Sequence, residues 1–128
     1  MKLLLDTHAF LWFVEGSDRI SRAASAAIAD PKNELFLSVA SIWEMAIKIG
    51  KRKLVLDPDL ETYIDTWTRE YSIKVMPIEA RHTFFTSTMN GEHGDPFDRM
   101  LVSQAILENM MLVSGDRIMP EYPVSIVW

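Results

Sequence analysis

Lys2-Leu3-Leu4-Leu5-Asp6-Thr7-His8 is the stretch whose reading decides the fold. Three leucines in succession leave no alternate position for a solvated face. The run therefore reads as a short strand buried on both sides, the kind that parallel sheets contain. It stops at an acid. Asp6-Thr7 brings polar turn chemistry, a helix starts at His8 and runs to Val14, and Gly16 ends it. Turn formation rarely needs a carboxylate directly behind three leucines, so Asp6 is a candidate for chemistry.

The same arrangement recurs along the chain. A helix is expected over Arg19–Ala29, closed by Asp30-Pro31, and then Leu35-Phe36-Leu37-Ser38 reads as a strand. From Val39 to Lys51 the apolar residues Ile42, Met45, Ala46 and Ile49 fall at helical spacing, with Gly50 near the exit and Glu44 among them. Asp57-Pro58 opens a helix with Pro58 near its first position and Leu60, Ile64 and Trp67 on one face. Ile73–Ile78 is a strand whose Pro77 suits a sheet edge. Glu79–Met89 is helical, ending at Asn90-Gly91, and Asn90–Gly94 forms a polar loop. Asp95-Pro96 opens a helix to about Glu108, Met111–Val113 is a strand, Ser114-Gly115-Asp116 a turn, and Val124–Val127 a last strand. Strands alternating with helices predict an α/β fold: a parallel sheet covered by helices on both faces. Ligands of such sheets gather outside the carboxyl ends of the strands. Asp6 and Asp116 fall at two of those ends, and Glu44 and Asp98 fall early in helices that start from the same edge.

The whole chain narrows the function classes. Its 128 residues suit one domain, 1–128, with a single core and no repeats or linkers. No apolar run is long enough to span a bilayer, and Met1-Lys2-Leu3-Leu4-Leu5-Asp6 reaches an acid too early for a signal peptide. Cysteine is absent, which excludes disulfides, thiolate zinc and a thiol nucleophile and fits a cytoplasmic protein. Thirteen basic against eighteen acidic residues give a net charge of −5, the wrong sign for a general nucleic-acid coat. Divalent ions held by acids would reverse that field locally, so a nuclease stays open.

Each acid also has a plain structural reading. Glu44 follows Ser41 in a Ser-x-x-Glu capping pattern and precedes Lys48 by one turn. Its apolar neighbours Ile42, Trp43, Met45 and Ala46 oppose that reading. An acid on a mostly buried helix costs on the order of several kcal/mol unless it is paired or holds a metal. Asp95 has the chemistry of a helix N-cap with Pro96 behind it, while Asp98, at the third helical position, is freer to point outward. Asp116 suits a turn. Together, Asp6, Glu44, Asp98 and Asp116 make a rim of four acids that needs cations to stay ionised. Mg²⁺ or Mn²⁺, hard ions that prefer oxygen, match it, and hydrolysis of a phosphate-rich substrate is the chemistry such a rim serves. His8, His82 and His93 show no ligand spacing, so zinc is not expected, and neither a Gly-rich phosphate loop nor a Gly-x-Ser-x-Gly elbow is present. Phe10, Leu11, Trp12 and Phe13 read as core, with an exposed subset available to a partner.

Leu4-Leu5-Asp6-Thr7-His8, Leu11-Trp12, Ser41-Ile42-Trp43-Glu44-Met45-Ala46-Ile47-Lys48, Asp95-Pro96-Phe97-Asp98-Arg99-Met100-Leu101 and Leu112-Val113-Ser114-Gly115-Asp116 together resemble a PIN-domain protein. The pattern over essentially the whole chain is similar to VapC-type ribonuclease toxins of prokaryotic toxin–antitoxin pairs. The resemblance implies a PIN-like three-layer α/β/α fold with a five-stranded parallel sheet, a Mg²⁺ or Mn²⁺ site and endonucleolytic cleavage of RNA. It implies Asp6, Glu44 and Asp98 as the metal-binding core and catalytic acids, with Asp116 as the fourth. Thr7 and Ser114 are then expected to orient Asp6 or a water, Arg99 to steady an RNA phosphate, and Asp95 to belong to a subgroup motif. A small antitoxin covering the acidic cleft and a homodimer are implied as well. The alternative is a non-catalytic module of the same fold that binds a protein or RNA partner. An aspartyl-phosphate phosphatase is disfavoured, because His8 stands where such enzymes carry a second Asp.

Overall fold

The computed structural model describes residues 1–89 and 94–128. The loop expected over Asn90–Gly94 lies, except for Gly94, outside them. Five strands, β1 (Lys2–Leu5), β2 (Glu34–Ser38), β3 (Ile73–Met76), β4 (Met111–Val113) and β5 (Ile126–Val127), form one sheet of order β3-β2-β1-β4-β5. Every pairing is parallel, with Leu4 opposite Phe36 on one side and Leu112 on the other. The all-leucine strand is thus the central one, as its lack of a polar face requires.

Among the described residues, six α-helices cover the sheet: α1 (Thr7–Glu15), α2 (Arg22–Ala29), α3 (Val39–Gly50), α4 (Leu60–Glu70), α5 (Ala80–Thr86) and α6 (Pro96–Leu107). Side chains alternate across a strand, so β1 serves two cores. Leu3 and Leu5 join Ala9, Phe10, Ile28, Met45 and Ile64 under α1–α4, whereas Leu4 joins Leu101, Val102, Ala105 and Leu112 under α6. The result is the α/β/α sandwich that the alternation of elements predicts. From β1 the chain steps outward through β2 to β3, then crosses back to β4 and β5. The order reverses between β1 and β4, and the crevice at that point opens beyond Leu5 and Val113.

Several boundaries differ from those expected, each for a local reason. Helix α2 starts at Arg22, not Arg19, because Ser21 caps it by accepting from the Ala24 N–H. Helix α4 starts at Leu60, beyond Pro58, because Asp59 takes the capping position and accepts from the Thr62 N–H. Helix α5 ends at Thr86 rather than Met89. The hydroxyls of Thr83, Thr86, Ser87 and Thr88 each donate to a carbonyl three residues back and compete with continued helix. Strand β5 is confined to Ile126–Val127. Strand β3 lies at the sheet edge, as expected, but it stops at Met76, before Pro77, rather than running to Ile78. The aromatic run in α1 divides: Phe10 and Leu11 are buried, while Trp12 and Phe13 are half-buried and pack on Trp128 and Tyr71.

Candidate active site

Asp6 stands where β1 gives way to α1. It is the N-cap of that helix, and its Oδ1 accepts from the Ala9 N–H at 2.7 Å. Although ionisable, it is only 7% exposed. Burial pushes its carboxyl above the ordinary carboxylate value, and the nearby Asp116 adds to the rise. The Ser114 hydroxyl, the Ala9 N–H and His8 all favour the charged form without reversing the shift. The carboxyl ends of β1 and β4 therefore bring Asp6, Ser114 and Asp116 together at the reversal point of the sheet.

The Ser114-Gly115-Asp116 segment is shaped for this. Ser114 is buried and its Oγ accepts the Asp116 N–H at 3.1 Å, while Asp116 Oδ1 accepts the Ile118 N–H at 3.1 Å. Asp116 is thus both the turn residue its sequence suggests and a neighbour of Asp6. At Gly115 any Cβ would overlap the Trp128 indole, so only glycine lets the turn lie this close to the chain's last ring.

Glu44 enters from α3. Ser38, not Ser41, caps that helix by accepting the Ala40 N–H at 3.0 Å, so the capping-box explanation for Glu44 falls away. Glu44 Oε1 instead accepts the Thr7 hydroxyl at 2.5 Å, and Oε2 lies 3.3 Å from the Lys48 ammonium. Thr7, expected beside Asp6 or a water, is thereby placed on the second acid. It follows Asp6 directly in sequence, so its bond to Glu44 ties the first turn of α1 to α3.

Asp98 occupies the first turn of α6. Asp95 caps that turn, its Oδ1 accepting from the Phe97 N–H at 2.8 Å and the Asp98 N–H at 3.3 Å. Phe97 meets Trp43 edge-on with ring centroids 5.3 Å apart, and these rings immediately precede Asp98 and Glu44 in sequence. The aromatic contact joins the two helical turns that carry those acids. Arg99 turns to the protein itself: one guanidinium nitrogen donates to the Thr86 and Met89 carbonyls at 2.9 and 3.0 Å. Its anchoring of the chain beyond α5 was not visible in the sequence.

A second titratable group lies at the α5–α6 seam. Glu79, His82 and Glu108 bring ligand-capable atoms within 4.8 Å of one another, a proximity that histidine spacing alone did not reveal. These atoms already serve the fold. His82 is buried, its Nδ1 accepts the Glu79 N–H at 3.0 Å, and its Nε2 lies 3.0 Å from Glu108 Oε1, which also binds Arg81. An Nδ1 acceptor requires the neutral ring with its proton on Nε2. Burial, with help from Arg81, pushes the His82 pKa below 6.5. The unfolded chain consequently binds the proton first as pH falls. We expect stability to decline once pH drops below about 6.5, the ordinary histidine value, until the folded-state pKa is passed. His82→Gln should flatten that decline in urea titrations between pH 7.5 and 5; an unchanged slope would assign it to other groups.

The donor set at the sheet edge consists of carboxylates and hydroxyls, with one carboxylate buried and raised in pKa by its surroundings. Hard divalent ions fit such a set, and thiophilic ones do not. Asp6, with Asp116 beside it, is placed to help hold one.

A three-layer α/β/α protein with an acid-bearing reversal point is the class that fold and site define. The model of the PIN domain family matches residues 3–124, and the chain belongs to that family. Its structural likenesses include VapBC2 from Rickettsia felis, bound to a DNA fragment from their promoter, at 17% identity over 98% of this chain and 97% of that one, TM-score 0.71. DNA-bound VapBC from Salmonella typhimurium has 17% identity, coverage of 98% and 96%, and TM-score 0.68. VapBC-1 from nontypeable Haemophilus influenzae has 13% identity, coverage of 98% and 96%, and TM-score 0.65. At such identities the likeness shows the fold alone. No curated protein sequence gave a match.

Proposed function

We propose that this protein is a metal-dependent endoribonuclease, the toxin of a toxin–antitoxin pair, with Asp6, Glu44, Asp98 and Asp116 as its metal-binding and catalytic acids and Mg²⁺ or Mn²⁺ as its cofactor. The observation that carries this reading is the buried Asp6 carboxyl at the end of β1, with Asp116 and Ser114 beside it. Keeping an acid there works against folding, so a role outside folding accounts for it better. A divalent ion in such a site lowers the pKa of an attacking water and neutralises charge on a phosphodiester. The chain's own part is to hold the acids: Ser114 supports Asp6, Thr7 supports Glu44, and the Asp95 cap presents the turn bearing Asp98.

VapBC assemblies among the fold neighbours support a small antitoxin as partner. Val39 and Trp43 on α3 and Val75 on β3 are exposed and apolar, which suits residues that a protein partner covers in an antitoxin complex or a homodimer. No helix among the described residues is long and apolar enough to cross a membrane, and a cytoplasmic site of action fits the proposed RNA substrate. The test is cleavage of total cellular RNA by purified protein with Mn²⁺ or Mg²⁺, with and without EDTA. Cleavage that requires the ion supports the proposal, and cleavage unaffected by EDTA would overturn it.

A further inference from the structure

Both carboxylate oxygens of Glu44 are engaged, and by chemically unlike partners. Oε1 takes the hydroxyl of Thr7, which is 3% exposed, β-branched and fixed in the first turn of α1. Oε2 faces Lys48, one turn along α3 on a flexible stem, with a side chain 32% exposed against 19% for Glu44. An ordinary surface pair at this spacing leaves both partners in solvent. Here one oxygen of the acid is held by a buried hydroxyl, and the lysine side chain is the more exposed partner of the pair. A carboxylate oxygen has lone pairs to spare, so the Thr7 bond can persist while Glu44 binds something else. An ammonium neutralises charge and, because a partly exposed ion pair is weak, leaves readily.

We propose that Thr7 and Lys48 are positioning residues for Glu44. Thr7 fixes the carboxylate, and Lys48 is a resident placeholder cation that gives up Oε2 when a divalent ion arrives. This rests on the metal-site reading given above. The two partners then act with opposite signs on ion binding, which a purely structural role for either would not produce.

Mn²⁺ binding to the full chain, followed by the electron paramagnetic resonance of free Mn²⁺, tests this without any activity measurement; circular dichroism checks that each variant folds. Lys48→Met removes the competing charge and should bind Mn²⁺ about two- to fivefold more tightly, the span set by a partly exposed ion pair. Lys48→Arg should match the wild type, and Lys48→Gln serves if the Met variant does not fold. Thr7→Val should bind about tenfold more weakly, the low end for losing a group that orients a metal ligand, and Thr7→Ser should restore affinity. Equal or weaker binding by Lys48→Met, where the wild type binds and Asp6→Asn does not, overturns the placeholder role alone. Wild-type protein that binds no Mn²⁺, or binds it regardless of Asp6→Asn, overturns the metal reading and the placeholder with it.

Discussion

Asp6→Asn is expected to abolish RNA cleavage while raising the melting temperature of the ion-free protein. Losing a partner that merely orients a ligand typically costs 10- to 100-fold, so loss of the ligand itself should cost roughly 100-fold or more in kcat/KM. The stability change has the opposite sign because of what surrounds the carboxyl. Burial and Asp116 raise its folded-state pKa above the ordinary 3.8, so the folded protein holds that proton more tightly than the unfolded chain. Stability contributed by the protonated form is lost as pH rises through the folded-state pKa. Asparagine cannot ionise, yet it caps a helix about as well as aspartate and can keep the Ala9 N–H satisfied. Thermal scans at pH 5 and pH 8 should show the variant's advantage growing with pH. Addition of Mn²⁺ should narrow it, since an ion that binds the folded wild type stabilises it by mass action. A variant less stable than wild type in EDTA at pH 8 would count against a strained acid at this position.

Phe10→Ala is expected to be the most damaging single truncation for the fold. Phe10 is fully buried, projects from α1 into the core shared with Leu3, Leu5, Met45 and Ile64, and meets Tyr63 edge-on at 6.3 Å. Removing such a ring costs about 3–5 kcal/mol, transfer and cavity together. At roughly 3–5 °C per kcal/mol for a chain of this size, the melting temperature should fall by about 10–20 °C. The consequence reaches the site, because the same helix carries Thr7 and is capped by Asp6. Ion binding should therefore weaken together with stability and recover in part in Phe10→Leu, which refills most of the volume. A melting temperature within about 3 °C of wild type would mean that the core collapses around the gap more freely than close packing allows.

Much of the architecture could be read directly from the residues. Leu3-Leu4-Leu5 has no polar face, and it forms the central strand with one core on each side. Pro77 marks an edge, and β3 is one. Boundaries were less readable where two polar residues compete to cap one helix. Asp57-Pro58 and Asp59 both carry capping chemistry, and it is Asp59 that accepts the Thr62 N–H. The run of Thr and Ser at the end of α5 likewise permits helix but shortens it through local hydroxyl bonds.

By itself the sequence determined that acids stand at the ends of buried strands, because an apolar run followed by a carboxylate is a local pattern. It also determined the family, since the spacing of those patterns extends over the whole chain. What only the tertiary structure decided is who holds each acid. Thr7 reaches Glu44 across 37 positions rather than serving Asp6, Ser114 supports Asp6, and Arg99 secures carbonyls at the end of α5. Such pairings depend on the order in which strands are laid beside one another. Parallel connections bring distant segments to one edge, and nothing in the local chemistry of either partner specifies the match.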